Sequence, residues 1–238
     1  MHSCGGNLIK TYIDGFDDAL GGGIPEGHTV LISGTPGTMK SSICLNLLYK
    51  NQKIANKRSL YISLEETKDS LLTGMARLNM RDFNDKDLFI VDLARLRMEY
   101  DEVDQMQDWM RFVTEYLTRR VKEDKIDIVA IDSLTALYSL IELENPRQQL
   151  FHFFGFLKRL GVTSFLISEM HPGSEEFGPY REDFLADGNI MLKLHEVGDT
   201  DIQLRIRCVK MRHVKHDRIY FVLMHRGEKF MVTSVISG

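Results

Sequence analysis

The chain has 238 residues, of which 43% are hydrophobic and 27% are charged, and its formal net charge is -4. A chain of this length and composition is typical of a globular protein with a substantial core. The weakly acidic charge gives no general reason to expect nucleic acid or an anionic membrane as a partner. The three cysteines, Cys4, Cys44 and Cys208, lie far apart, which argues against a disulfide framework and a cysteine metal site.

No segment has the features of a targeting signal or a membrane span. Residues 1–6 lack the basic and then apolar pattern of a signal peptide. The most apolar window, residues 126–143, is interrupted by Asp127 and Asp132. We therefore expect a cytoplasmic protein without a membrane partner.

Apolar periodicity predicts strands that alternate with helices through the first two thirds of the chain. The predicted strands of this part cover residues 29–32, 60–64, 88–91, 126–131 and 162–167. Helices are predicted over residues 16–20, after Lys40, after Thr67, over residues 101–121, and from Pro146 to about Leu160. A long loop over residues 169–184 precedes shorter strands at residues 188–195, 202–210, 218–224 and 229–235.

This order of elements predicts an α/β fold. Strands that alternate with helices form a mainly parallel sheet covered on both faces, and the final hairpins would extend one edge antiparallel. No repeat, low-complexity segment or linker divides the sequence. Residues 1–238 are therefore predicted to form a single domain.

A glycine-rich turn joins the first predicted strand to the helix that follows it. This phosphate-loop segment consists of Gly34, Thr35, Pro36, Gly37, Thr38, Met39, Lys40, Ser41 and Ser42. Its glycines allow backbone amides to converge on phosphate oxygens, and the helix N-terminus adds unpaired N–H groups. Lys40 would reach the β- and γ-phosphates, and the Ser41 hydroxyl would ligate Mg²⁺. The segment therefore predicts a nucleotide site.

One position departs from the pattern G-x-x-x-x-G-K-[ST], because Met39 stands where glycine is expected. If the backbone angle there is open to an L-residue, the side chain can point into the protein and nucleotide binding survives. If the angle is open only to glycine, strain of about 1–3 kcal/mol would weaken the site. The sequence leaves both alternatives open.

Acidic residues follow two further predicted strands at their carboxyl ends, the edge where parallel α/β sheets bind ligands. Glu65 and Glu66 follow the second strand, and Asp132 follows the strand over residues 126–131. Asp132 has the position of the Mg²⁺-side carboxylate of phosphate-loop enzymes. Glu65 or Glu66 could orient and deprotonate an attacking water. Strand-end acids are also common as helix caps, so only their joint occurrence with the phosphate loop favours catalysis.

Several segments taken together resemble one family. They are Gly15-Phe16-Asp17, Gly21-Gly22-Gly23-Ile24-Pro25, Glu65-Glu66, Asp132-Ser133, Leu185-Ala186-Asp187-Gly188, Lys210-Met211-Arg212 and His216-Asp217. On these motifs the chain is similar to the KaiC-type ATPases of the RecA/RadA superfamily, from about Thr11 to the C-terminal hairpin. The resemblance implies a RecA-like P-loop NTPase core in a single domain, with ATP and Mg²⁺ as cofactors.

The resemblance also implies roles for individual residues. Glu65 corresponds to the family's catalytic glutamate, with Glu66 as its acidic neighbour. Lys210, Arg212 and His216 correspond to residues that reach the nucleotide of the adjacent subunit, as an arginine finger does. A site completed in this way requires a head-to-tail ring, and the family commonly forms hexamers. The resemblance therefore implies a hexameric homo-oligomer, with room for a regulatory protein partner.

Two departures from the family pattern bear on turnover more than on binding. Met39 replaces a glycine, and His213 stands where the Lys-Met-Arg segment is usually followed by glycine. KaiC itself carries two such domains and this sequence carries one, so we infer no clock function. The residues also give no basis for assigning an autophosphorylation site.

Three functions remain in competition on the sequence alone. The leading one is an Mg²⁺-dependent, ring-forming ATPase that acts as a conformational or regulatory switch. The second is a nucleotide-sensing scaffold that binds ATP with negligible hydrolysis, which Met39 motivates. The third is a recombinase accessory that binds single-stranded DNA. The candidate loops at residues 142–145 and 169–177 are acidic and would repel phosphate, so this function ranks last.

Overall fold

The computed structural model describes residues 7–93, 109–141, 145–174 and 176–235. The strands are β1 (Leu8–Ile9), β2 (Ile13–Asp14), β3 (Ile24–Pro25), β4 (Thr29–Gly34), β5 (Ser59–Ser63), β6 (Leu88–Asp92), β7 (Ile128–Asp132), β8 (Thr163–Glu169), β9 (Gly188–Val197), β10 (Asp201–Met211), β11 (Phe221–Arg226) and β12 (Lys229–Ser234). The helices are α1 (Phe16–Ala19), α2 (Lys40–Ala55), α3 (Lys68–Arg77), α4 (Trp109–Asp124), α5 (Leu134–Leu140), α6 (Pro146–Leu160) and α7 (Glu182–Leu185).

The described strands form one large sheet in the order β2-β12-β11-β10-β9-β4-β8-β7-β5-β6, and β1 pairs with β3 separately. All pairings from β9 through β4, β8, β7 and β5 to β6 are parallel. The pairings β9–β10, β10–β11 and β11–β12 are antiparallel. The predicted fold class, a mainly parallel α/β sheet with an antiparallel C-terminal extension, is therefore confirmed.

Two apolar clusters cover the two faces of this sheet. The first packs α2 and α3 against the sheet, through residues such as Leu47 and Met75. The second packs α4, α5 and α6 on the other face, through residues such as Leu117, Leu137 and Phe153. Because helices cover both faces of the central strands, β4 and β7 are buried along their whole length, with apolar residues at their centres.

Local sequence features mark several element ends. Thr67 caps α3, since its side chain accepts a hydrogen bond from the Ser70 backbone N–H at 3.3 Å. Pro146 occupies the first turn of α6, where its missing N–H leaves no hydrogen bond unmade. Turns at Gly198 and Gly227, both with positive φ, connect the C-terminal strands.

Other boundaries differ from the expectation. The strand expected to end at residue 167 continues to Glu169, and the expected loop after it contains the short helix α7. The third C-terminal strand begins at Phe221 rather than at residue 218. Residues 101–108 of the expected helix over 101–121 lie outside the described residues, and α4 accounts for the rest. Among the helices that the structure describes, none is long and apolar enough to cross a lipid bilayer.

Candidate functional site

The phosphate-loop segment connects the end of β4 to the start of α2. A side chain at Gly34 would collide with its surroundings, because a Cβ there would lie 2.5 Å from Thr38 Oγ1 and 2.7 Å from the Leu192 carbonyl oxygen. Gly37 has φ +81° and open space where a Cβ would stand. The Lys40 ammonium reaches back over the loop and donates to the Thr35 carbonyl oxygen at 3.1 Å. The segment therefore forms an open turn of backbone with a lysine folded across it.

Met39 adopts a left-handed backbone conformation, with φ 62° and ψ 26°, at the N-cap of α2. This region is narrow for L-residues but not closed to them, and it costs about 1–2 kcal/mol for a residue other than glycine. The half-buried side chain packs against the first apolar cluster. The methionine therefore strains the backbone, but its side chain has an apolar site away from the loop.

Three carboxylates lie at neighbouring strand ends beside the phosphate loop. Asp132 is the last residue of β7, and Glu65 follows β5, whose Ser63 is paired with Asp132. Glu169 is the last residue of β8 and is paired with Gly34 at the start of the loop. Because β4, β8, β7 and β5 are consecutive in the sheet, these ends form one continuous edge. The structure thus brings Glu65 and Asp132 to the phosphate loop, where the sequence analysis expects them.

Glu65 and Glu66 have different hydrogen-bond partners. Glu65 Oε1 accepts from the Ser133 hydroxyl at 3.3 Å, which directs it toward the end of β7. Glu66 Oε2 accepts from the Ser70 hydroxyl at 2.8 Å, on the first turn of α3. Glu65 therefore contacts the end of β7 beside the phosphate loop, whereas Glu66 is hydrogen-bonded to α3.

Burial and neighbouring charges shift the pKa values of Lys40, Glu65 and Asp132. Burial lowers the pKa of Lys40, and nearby Glu169, Asp132 and Glu65 counteract that shift. Burial raises the pKa of Glu65, and the charges of Glu169 and Asp132 raise it further. Burial also raises the pKa of Asp132, against hydrogen bonds from Ser41 and Tyr61 that lower it. Three carboxylates around one lysine give the edge an excess of negative charge, which favours a bound cation.

The oxygen donors present suit Mg²⁺. The Ser41 hydroxyl lies close enough to the Asp132 carboxylate to lower its pKa, so one hydroxyl and one carboxylate lie near each other beside the loop. Magnesium is usually held by one or two carboxylates together with substrate phosphates and water. Within the described ranges, no group of three or more His, Cys, Asp or Glu residues is arranged as a metal cage. Ser41 and Asp132 would therefore hold the ion only together with a nucleotide.

Sequence reasoning missed two residues of this edge. Glu169 ends an apolar strand, as Asp132 does, but the apolar run predicts a strand that stops at residue 167, two residues before it. Tyr61 is fully buried within β5, and its hydroxyl donates to Asp132 Oδ2. No local signal distinguishes this tyrosine from a core residue, because its partner lies 71 residues away in the chain.

Lys210, Arg212 and His216 lie at the opposite end of the strands, near the start of β4. The Arg212 guanidinium contacts Asp187 Oδ1 at 2.9 Å, and the Asp187 backbone N–H donates to the carbonyl oxygen of Thr29 at the start of β4. The phosphate loop begins at the other end of this six-residue strand, which is about 17 Å away at 3.3 Å per residue. The structure therefore does not bring this group to the phosphate loop of its own chain.

Each member of this distant group has local contacts. Lys210 Nζ donates to the Asp183 carbonyl oxygen at 2.6 Å, and burial followed by the charge of Arg212 lowers the pKa of Lys210. The half-buried His216 is within 3.1 Å of the Asp217 carbonyl oxygen through Nδ1. The Arg212 side chain remains 42% exposed despite its ion pair. An exposed guanidinium at this edge is free to meet a second molecule.

Comparisons with known proteins identify the family of the chain. A family model described as "ATPase: KaiC" matches residues 9–227. The circadian clock oscillator protein KaiC of Nostoc sp. is 29% identical over 216 residues, which are 87% of this chain and 40% of that protein. The chain thus spans about 40% of the length of the KaiC proteins that it resembles.

Two relatives are similar to the chain over nearly their whole length. The UPF0273 protein MJ1359 of Methanocaldococcus jannaschii is 30% identical over 221 residues, which are 87% of this chain and 88% of that protein. The crystal structure of the KaiC-like protein PH0186 from Pyrococcus horikoshii superposes with a TM-score of 0.79 at 26% identity, and covers 95% of this chain and 99% of that one. Together with the family model, these matches show that the chain belongs to the KaiC-type ATPase family.

Proposed function

We propose that the chain binds ATP with Mg²⁺ at the phosphate loop, hydrolyses it, and does so in a head-to-tail ring in which each subunit completes its neighbour's site. Family membership supports nucleotide binding by this fold. The specific residues and the assembly are our proposal, and they follow from the two separate edges of the sheet.

Within one subunit, the phosphate loop would hold the triphosphate and Glu65 would prepare the water. Backbone amides of the loop and the α2 N-terminus offer N–H groups to the phosphates, and Lys40 supplies a positive charge. Mg²⁺, when bound, would neutralise charge on the β- and γ-phosphate oxygens. Glu65, whose pKa is raised by burial and by two neighbouring carboxylates, is a stronger base than an ordinary glutamate.

The observation that carries the ring is the distance between Arg212 and the loop of its own chain. A guanidinium at the start of β4 cannot neutralise a phosphate at the end of the same strand, about 17 Å away. A second subunit placed head to tail would bring its Arg212 and Lys210 to that phosphate, with His216 close by. Such a heterologous contact closes into a ring when the rotation between subunits allows it.

Mixing two inactive variants tests this arrangement. Lys40→Ala removes the phosphate contact and leaves Arg212 in place, whereas Arg212→Ala does the reverse. In an equimolar mixture, about a quarter of the interfaces in a head-to-tail ring combine an intact loop with an intact Arg212. We expect each variant alone to be inactive and the mixture to recover about a quarter of the wild-type rate.

The rate of wild type per subunit should also rise with protein concentration, because the site is incomplete in a monomer. Full activity of Arg212→Ala alone, or no recovery in the mixture, would contradict completion in trans. Calorimetry of ATP with Arg212→Ala checks that the first site still binds nucleotide.

A second candidate is a nucleotide-sensing scaffold that binds ATP without turnover. The left-handed backbone of Met39 favours it, because strain in the loop can misplace a triphosphate that still binds. In this case ATP and a non-hydrolysable analogue would drive assembly equally, as measured by light scattering. Assembly that depends on hydrolysis would exclude the scaffold. In either case the nucleotide state would regulate the contact with a protein partner.

Single-stranded DNA binding remains the least favoured candidate. Glu169, at the end of β8, belongs to the group of carboxylates beside the phosphate loop, and Glu176 in the loop after β8 is exposed, so neither suits a phosphate backbone. Salt-sensitive binding of an oligonucleotide at physiological ionic strength would reverse this ranking.

A further inference from the structure

One face of the C-terminal strands has no helical cover in the described part of the chain. The first apolar cluster includes β9, β10, β11 and β12, whereas the second has no described member beyond Ala186. No described helix makes an extensive contact with β9 to β12. On the side of α4 and α6, Asn189 and Lys210 donate to the Asp183 carbonyl oxygen of α7. Beyond these contacts, that side of the described strands is an uncovered sheet face.

The uncovered face is basic. Lys193 on β9 is directly opposite Arg205 on β10, and Arg207 follows two residues along the same face. All three side chains are half-buried. Like charges placed opposite each other on neighbouring strands destabilise a sheet. We call Lys193, Arg205 and Arg207 the basic strand face.

Tyr220 holds two of these cations in place. Its ring centroid lies 5.3 Å from Lys193 Nζ and 4.7 Å from the Arg207 guanidinium carbon. Its hydroxyl is 3.7 Å from the sulfur of Met191, the residue paired with Arg207. The aromatic ring thus orders the cations without neutralising them.

The basic strand face has no anionic partner among the residues that the structure describes. No ion pair involves Lys193, Arg205 or Arg207 there. Arg205 donates to the neutral amide oxygen of Gln203, at 3.0 Å and 3.3 Å. Arg207 Nε is buried, and none of the described residues accepts a hydrogen bond from it. A buried unpaired donor is costly, so this face is suited to an acidic partner.

The same chain has an acidic surface beside its phosphate loop, at the carboxyl ends of the parallel strands. We call this surface the nucleotide edge. Glu65, Glu66 and Asp69 are exposed there in sequence order, and Lys68 is the exposed cation between them. The carboxylates of Glu169 and Asp132 lie behind them, and a bound triphosphate would add further negative charge. The nucleotide edge and the basic strand face are therefore opposite in charge.

We infer that the basic strand face is the surface on which the acidic nucleotide edge of a second copy of this chain docks. This inference rests on the proposed ring and identifies the surface that forms its contact. Arg207 and Lys210 are on the same strand, three residues or about 10 Å apart. A neighbour that meets Lys210 and Arg212 therefore extends over the basic strand face as well.

Lys193→Glu separates this role from a role in folding. The new carboxylate lies opposite Arg205 and replaces a like-charged pair with an ion pair, so the monomer should melt no lower than wild type. Self-association should nevertheless weaken at least tenfold by sedimentation velocity. Lys86→Glu makes the same charge change in the exposed turn before β6 and should leave association unchanged.

A charge exchange identifies the partner surface. Asp69→Lys, at the nucleotide edge, should weaken self-association like Lys193→Glu, and the double variant should recover most of it. Calorimetry of ATP with Lys193→Glu should show binding no weaker than that of Arg212→Ala, whose site also lacks the neighbour's guanidinium, so a failure of nucleotide binding is detected separately from a failure of docking.

Three outcomes would overturn the inference. The first is wild-type association of Lys193→Glu, and the second is a double variant no better than the single ones. The third is salt-sensitive oligonucleotide binding that Lys193→Glu abolishes while association stays intact, which would make the face a nucleic-acid surface.

Discussion

Glu65 Oε1 lies 3.3 Å from the Ser133 hydroxyl, which links the second residue after β5 to the first residue after β7. This contact directs Glu65 toward the end of β7, whereas the next residue, Glu66, bonds to Ser70 on α3. Two adjacent glutamates that are equivalent in sequence thus occupy different surroundings. The difference leads directly to a paired test.

Glu65→Gln should reduce ATP hydrolysis about a hundredfold or more, because it removes the proposed general base while keeping the shape of the side chain. ATP affinity should be little changed. Steady-state hydrolysis together with calorimetry measures both quantities. Glu66→Gln is the matched control and should lose much less activity. Equal losses in the two variants would contradict the separation of their roles.

Tyr61→Phe should weaken the binding of Mg²⁺ without changing the Asp132 carboxylate that is proposed to bind it. The Tyr61 hydroxyl donates to Asp132 Oδ2, and the loss of such a supporting hydrogen bond typically lowers metal affinity about 10–100-fold. Titration of Mg²⁺ against hydrolysis at saturating ATP would show a higher half-maximal concentration. Tyr49→Phe is the control, because Tyr49 donates to the Arg81 carbonyl oxygen away from this edge. An unchanged Mg²⁺ requirement would exclude Tyr61 from orienting Asp132.

Met39→Gly should keep nucleotide binding. Glycine relieves about 1–2 kcal/mol of left-handed strain, but it loses the packing of a half-buried methionine and gains freedom in the unfolded chain. The free energy of unfolding should therefore change by less than about 1 kcal/mol. Met39→Val, which places a β-branched residue at positive φ, should be clearly less stable than both wild type and Met39→Gly. Urea unfolding and ATP calorimetry provide the measurements, and loss of ATP binding in Met39→Gly would contradict the placement of this side chain outside the cradle.

Asp187→Asn should destabilise the fold in a pH-dependent manner. Burial acts to raise the pKa of Asp187, but hydrogen bonds from Lys158, the Thr29 backbone N–H and Arg212 outweigh it, so the folded pKa lies below the ordinary 3.8. A lowered folded pKa contributes stability above the unfolded pKa, and this contribution is lost as pH falls through the folded pKa.

At pH 7 the variant should be about 1–2 kcal/mol less stable, with the ion pairs discounted because their partners are partly exposed. The difference in free energy of unfolding between wild type and Asp187→Asn should narrow below about pH 4. Urea unfolding between pH 3 and 7 would measure it. Asp14→Asn is the control, since Asp14 pairs with Lys229 at 3.5 Å on the surface. A gap that stays constant down to pH 3 would exclude the charge of Asp187 as its cause.

The alternation of strands and helices, the phosphate-loop turn and the start of α6 could be predicted because each depends on neighbouring residues. The apolar run before Gly34 and the turn chemistry after it act within a few residues. Glu169 escaped prediction because strand ends are poorly defined by hydrophobicity alone. Tyr61 escaped because a buried tyrosine in an apolar strand has the same pattern whether or not it meets Asp132.

The sequence by itself determined the α/β class, the phosphate loop and the acids that follow the strands, because these are properties of contiguous segments. Only the tertiary structure decided that Glu65 bonds to Ser133 while Glu66 bonds to Ser70, and that Arg212 lies one strand length from the phosphate loop. It also decided that Lys193 is opposite Arg205. These relationships depend on strand order and register, which join residues far apart in the chain and leave no local trace.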